Sequence, residues 1–134
     1  MKRILISLFA IAMLVSSAAS AQEIKKSDKI VDTKFVLISS SLVASTVFDL
    51  ETTFAAIKNP QVREGNPVMR PFVNAGRPAT YAFLGGVDAG VVYLSYRMKK
   101  SPNPAVRKLW WVVPVAMIAS HAFAGGANLR FSFR

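Results

Sequence analysis

Four ionisable side chains stand inside long apolar stretches of the sequence. Asp49 and Glu51 fall in 35–57, Asp88 in 79–96 and His121 in 109–127. A charged side chain at the centre of a membrane helix costs about 2.5–3.5 kcal/mol on insertion scales, so each such residue needs a reason. Asp49, Asp88 and His121, with Glu64 of the loop that follows, have the carboxylate and imidazole donor types that ligate Zn, Mn or Fe. They are also the groups that pass a proton or act as a general base. Around Asp49, the residues three and four positions away are Ser45, Thr46, Thr52 and Thr53. Those spacings share a helix face, so the stripe is continuous, while Glu51 points elsewhere.

No complete local catalytic motif accompanies these groups. There is no H-E-x-x-H pair, and Ser39-Ser40-Ser41 lacks the G-x-S-x-G elbow of a serine nucleophile. The chain has no cysteine, which excludes disulfides, thiolate metal sites and cysteine nucleophiles. No cofactor is expected, and the residue types leave the identity of any metal open.

The elements that must position these groups are helices. The 134-residue chain is 52% apolar, with those residues gathered into runs that are apolar nearly all round. A soluble domain of this size would give each element a wet face. Residues 1–21 have the three parts of a secretory signal: Lys2 and Arg3, then the apolar 4–15, then a small-residue end closing in Ala19-Ser20-Ala21. Cleavage after Ala21 is expected, followed by an exposed polar tail over 22–34. Three transmembrane helices then span about 35–57, 79–96 and 109–127, each about long enough to cross a bilayer core. Tyr81, Tyr96, Trp110 and Trp111 lie near their ends, where interfacial aromatics belong. The expected fold is all-α: an integral membrane protein with a cleavable signal peptide and an antiparallel bundle of three transmembrane helices. A β-barrel is rejected despite the terminal Phe131-Ser132-Phe133-Arg134, because the runs are too few and do not alternate.

Antiparallel spans allow depth to be compared from a shared loop. Asp49 is 8 residues before Ile57, Asp88 is 9 after Ala79, and His121 is 6 before Ala127. At about 1.5 Å per residue these depths agree within roughly 5 Å, in the half nearer loop 58–78. Asn128 is seven residues beyond His121, on the same face. In the second span Ala82, Gly86 and Gly90 recur every four residues beside Gly85 and Ala89, a spacing that permits close helix contact. Pro114 and Gly125-Gly126 are places where the third span could bend.

The formal net charge is +10, and the cations flank the apolar runs, where headgroup phosphates would meet them. No aromatic-rich basic groove is evident, so membrane lipid rather than nucleic acid is the expected partner. A cleaved signal puts loop 58–78 and the C-terminus on the cytoplasmic side of the inner membrane. That side carries six Lys or Arg (58, 63, 70, 77, 130, 134) against nine on the other (25, 26, 29, 34, 97, 99, 100, 107, 108). The positive-inside rule leans the other way, and the signal is taken as decisive.

The loop contains Glu64-Gly65-Asn66-Pro67, in which Pro67 biases Asn66 away from helix and marks a turn. A buried turn would aim Glu64 and Asn66 at the membrane; in a solvated turn they have no chemical role. The set Asp49-x-x-Thr52-Thr53, Glu64-x-Asn66-Pro67 and Asn128 resembles the D-x-x-T-T helix, E-x-N-P loop and terminal Asn of a family of small bacterial membrane proteins of unknown function. The resemblance extends over nearly all of the mature chain. It implies a shared site, brings no activity with it, and does not include Asp88 or His121.

Asp49, Thr52, Thr53, Glu64, Asn66, Pro67, Asp88, His121 and Asn128 therefore form the candidate polar cluster. The expected function is that of a non-enzymatic membrane component, binding a partner protein, a second copy or lipid through this cluster. The alternative is a metal- or proton-linked intramembrane site, with hydrolysis as one use of it. A purely structural role, bonding helix to helix, stays open beside both.

Overall fold

The computed structural model describes residues 29–132, and among them all regular structure is helical. The expected signal over 1–21, and 22–28 of the polar tail, lie outside the described residues. Helix α1 is Thr33–Ala56, α2 Arg70–Ala75, α3 Arg77–Lys99, α4 Pro104–Lys108 and α5 Val112–Ser132.

Each boundary has a local cause. The Asp32 carboxylate accepts the Phe35 N–H at 2.9 Å and caps α1, satisfying one of the four free amides of its first turn. Asn103 does the same for α4, its side-chain oxygen accepting from Ala105 N at 2.9 Å, with Pro104 next to it. Gly76, at φ 96° and ψ 176°, separates α2 from α3 in a conformation essentially confined to glycine.

The first two long helices lie close to the expected spans, α3 extending two to three residues beyond 79–96 at each end. The third begins later than expected, because 104–111 form the short helix α4 and a turn before α5. Pro114 does not bend α5. It is fully buried in the first turn, where its missing N–H costs no intrahelical bond. The helix also runs unbroken through Gly125-Gly126.

Two segments are long and apolar enough to cross a membrane, Thr33–Ala56 and Pro104–Phe131, each with a hydropathy of 1.4. α3 has the length, at 23 residues, but its glycines, Asp88 and terminal cations lower its apolar character.

The long helices run up, down and up. Phe35 meets Trp110 at 5.6 Å between ring centroids at one end, while Thr53 meets Asn128 at the other, so α1 and α5 are parallel. Lys99 pairs with Asp32 and Arg77 with Glu51, so α3 is antiparallel to α1. Leu42, Leu50, Phe54, Ala56 and Leu84 form the apolar core. α1 and α5 approach closely at Gly125, where a Cβ would sit 2.5 Å from the Phe48 ring and 3.2 Å from Asp49 Cα. The small-residue stripe of α3 is used differently from that glycine. Ala82, Gly85, Gly86, Ala89 and Gly90 are exposed, and among the described residues no atom beyond the helix's own backbone and adjacent residues lies within 4 Å of a Cβ built at any of the three glycines.

Candidate functional site

The approach at Gly125 brings the polar side chains of α1 and α5 into bonding range. His121 Nδ1 lies 2.8 Å from Asp49 Oδ2. Two turns further along α5, Asn128 Nδ2 donates to Thr53 Oγ1 at 2.8 Å and, more weakly, to Asp49 Oδ1 at 3.4 Å. Both Asp49 oxygens are thus engaged from α5, whose residues 121 and 128, seven apart, present one face. Thr52 also bonds within its own helix. Its hydroxyl donates back to the carbonyls of Phe48 and Asp49 at 2.9 Å, a local bond that competes with the helix ladder.

Asp88 of α3 enters from the third side. It is 4% exposed and lies near Thr46, which is 3% exposed. Among the described residues Asp88 Oδ1 and Thr46 Oγ1 are buried with no hydrogen-bond partner. Asp49 and His121 together are neutral when they hold one proton between them, whichever atom carries it, and Asp88 is neutral only with a proton of its own. The layer is therefore formally uncharged when it holds two protons.

The E-x-N-P loop stays apart from this layer. Glu64 Oε1 accepts the Asn66 N–H at 2.7 Å, and Asn66 Oδ1 accepts the Val68 N–H at 3.0 Å. The Asn66 carbonyl accepts from Met69 N and Arg70 N, and Arg70 Nε donates to the Glu64 carbonyl. Asn66 and Pro67 are exposed and Glu64 is half-buried, which is a solvated turn that shapes its own backbone and leads into α2. From there Phe72 stacks on Phe83 at 3.9 Å, and the Thr80 hydroxyl donates to the Phe72 and Gly76 carbonyls, which seats the loop on α3.

Two further clusters close the ends of the bundle. At the loop end, Glu51 accepts from Arg77 and, at 2.7 Å, from the Tyr81 hydroxyl, while the Arg77 guanidinium lies 4.9 Å from the Phe54 ring centroid. Counting depth does not find this pair, because Glu51 is 6 residues before Ile57 while Arg77 lies 2 before Ala79, outside the expected span. At the other end, Lys99 lies 2.6 Å from Asp32 and 4.7 Å from the Trp110 ring centroid. Burial would raise the Asp32 carboxyl, but the hydrogen bond and charge of Lys99 with the Phe35 amide outweigh it and hold the group below its ordinary value.

Among the described residues no group of three His, Asp or Glu side chains is arranged to hold a metal ion. Fold and site together define a helical protein with two membrane-length apolar segments and a polar network joining the first helix to the last. A family model described as Domain of unknown function (DUF5658) matches residues 40–133, and the chain belongs to that family. The match includes Asp49, the E-x-N-P turn, Asp88, His121 and Asn128, and leaves out Asp32. No curated protein and no solved structure matches the chain.

Proposed function

We propose that the protein is a three-span inner-membrane component without catalytic activity, acting by binding a protein or lipid partner, with the signal removed after Ala21. α3 is the middle span in this reading. Its 23 residues reach about 35 Å, enough for a hydrocarbon core. Its buried polar groups, Thr80, Asp88 and Ser95, lie on the side packed inside the bundle, where an intramembrane polar residue is tolerated.

The observation that carries the non-catalytic reading is the engagement of both Asp49 oxygens by α5. Bonded from α5 through each of its oxygens, this carboxylate holds two helices in register. The cluster supplies the frame for the binding surface. The exposed small-residue face of α3 supports a protein partner, since helix backbones approach closely where side chains are small.

The test uses the absence of native cysteine. Gly86→Cys in membranes should crosslink to a second copy or to another protein, and a strictly monomeric, partnerless chain would overturn the reading. A second reading, a proton-linked site, is favoured by the unpaired buried oxygen of Asp88. It predicts that Asp88→Asn abolishes pH-dependent behaviour of the reconstituted protein while leaving the fold intact.

A further inference from the structure

We infer that the α3–α4 hairpin carries a binding site for the phosphate headgroup of an anionic phospholipid, at the end of the bundle away from the E-x-N-P loop. A groove of about 720 Å³ lies there, lined among others by Tyr93, Tyr96, Arg97, Lys100, Ser101 and Val106. That volume is in the range of small-ligand sites. The helical spacing is regular. Tyr93 stands four residues before Arg97, Tyr96 four before Lys100, and the two cations are three apart, so rings and charges share one side of the helix. Arg97 is held in place, its Nη1 donating to the Tyr93 hydroxyl at 3.1 Å with the guanidinium 5.9 Å from the ring centroid.

Charge selects the class of ligand. Residues 97–108 contain five Lys or Arg (97, 99, 100, 107, 108) and no Asp or Glu. Of these, Lys99 is committed to Asp32, while among the described residues Arg97, Lys100, Arg107 and Lys108 form no ion pair. A phosphate in the groove would receive a fork from Arg97, a point charge from Lys100 and a hydroxyl from Ser101.

The surroundings select a lipid over a soluble anion. Leu109 and Trp111, immediately after the cations, are 52% and 45% exposed, and Tyr93 is 60% exposed. Exposed apolar and aromatic groups beside unpaired cations suit the boundary where headgroups meet acyl chains. This site is separate from the Asp49 layer and does not depend on the reading of that layer.

The test is lipid retention by the full chain in detergent, counted by native mass spectrometry with phosphatidylglycerol and phosphatidylcholine as probes. Phosphatidylglycerol should be retained in preference. The double variant R97Q/K100Q should weaken its binding roughly thirtyfold, a factor of about five for each cation removed near an anionic headgroup. R63Q/R130Q removes the same charge from the other end and should leave retention near the native level. Equal retention of both lipids, or equal loss in the two double variants, would overturn the site. Displacement of the lipid by millimolar inorganic phosphate would make the free anion the ligand and overturn the lipid assignment.

Discussion

The close approach at Gly125 sets the geometry of the whole polar layer, and a single methyl group tests it. In Gly125→Ala the new Cβ would lie 2.5 and 2.6 Å from two atoms of the Phe48 ring and 3.2 Å from Asp49 Cα. Carbon atoms pack best at about 3.5–4.0 Å, so the overlap with the ring is roughly 1 Å. The half-buried ring can turn away in part, but the Asp49 backbone moves only with α1. Overpacking of this kind costs about 1–3 kcal/mol. Alanine in a helix recovers about 0.5–1 kcal/mol relative to glycine. Gly126→Ala supplies the control, having the same intrinsic gain and no atom within 4 Å of its Cβ. The difference between the two alanine variants is then the overlap cost, about 1–3 kcal/mol. It is measurable by unfolding in mixed micelles followed by tryptophan fluorescence. In a Phe48→Ala background the difference should shrink below about 1 kcal/mol, since only the crowding against the Asp49 backbone remains. If Gly125→Ala and Gly126→Ala agree within about 0.5 kcal/mol in the native background, α1 and α5 do not meet as described.

Other expectations follow from the same packing. An Asp49→Ala/His121→Ala double-mutant cycle should give a coupling of about 0.6–1.7 kcal/mol, the range of interhelical hydrogen bonds in membranes, and zero coupling would remove the pair. Asp32 has a folded-state pKa below its unfolded one, so its contribution is present above the ordinary carboxylate range and lost as pH falls through the lowered value. Acid titration of stability should therefore be flatter in Asp32→Asn than in the native chain, and identical acid limbs would exclude the Lys99 pairing. Gly76→Ala places a Cβ on backbone at φ 96°, ψ 176°, and should cost about 1–3 kcal/mol in the same micelle assay, with no loss counting against that turn.

How far the candidate site was legible depends on what each residue needs. Asp49, His121 and Asn128 could be grouped from the chain alone, because helices have a fixed rise and repeat, and the consecutive long helices are antiparallel. Depth and face then follow from counting residues. Glu64 and Asn66 could not be separated from that group by counting. Their side chains are spent on the backbone of their own turn, and turn hydrogen bonding depends on φ and ψ at several residues together. The same limit hid α2 and α4, which are five or six residues long and owe their existence to Pro71, Asn103 and Pro104 rather than to an apolar period.

The chain's own pattern determined that ionisable residues would sit inside long apolar helices, and at what depth, since hydropathy and helical rise are properties of local sequence. Which face of each helix turned inward was decided only by packing. The α3 glycines and Gly125 are alike in sequence as small residues in apolar helices, yet Gly125 is pressed against Phe48 while the α3 stripe faces out. That choice places Asp88 in the interior and leaves one of its oxygens without a hydrogen-bond partner among the described residues. No count of residues along one helix reports which neighbour will approach it, because the answer depends on how three surfaces fit at once.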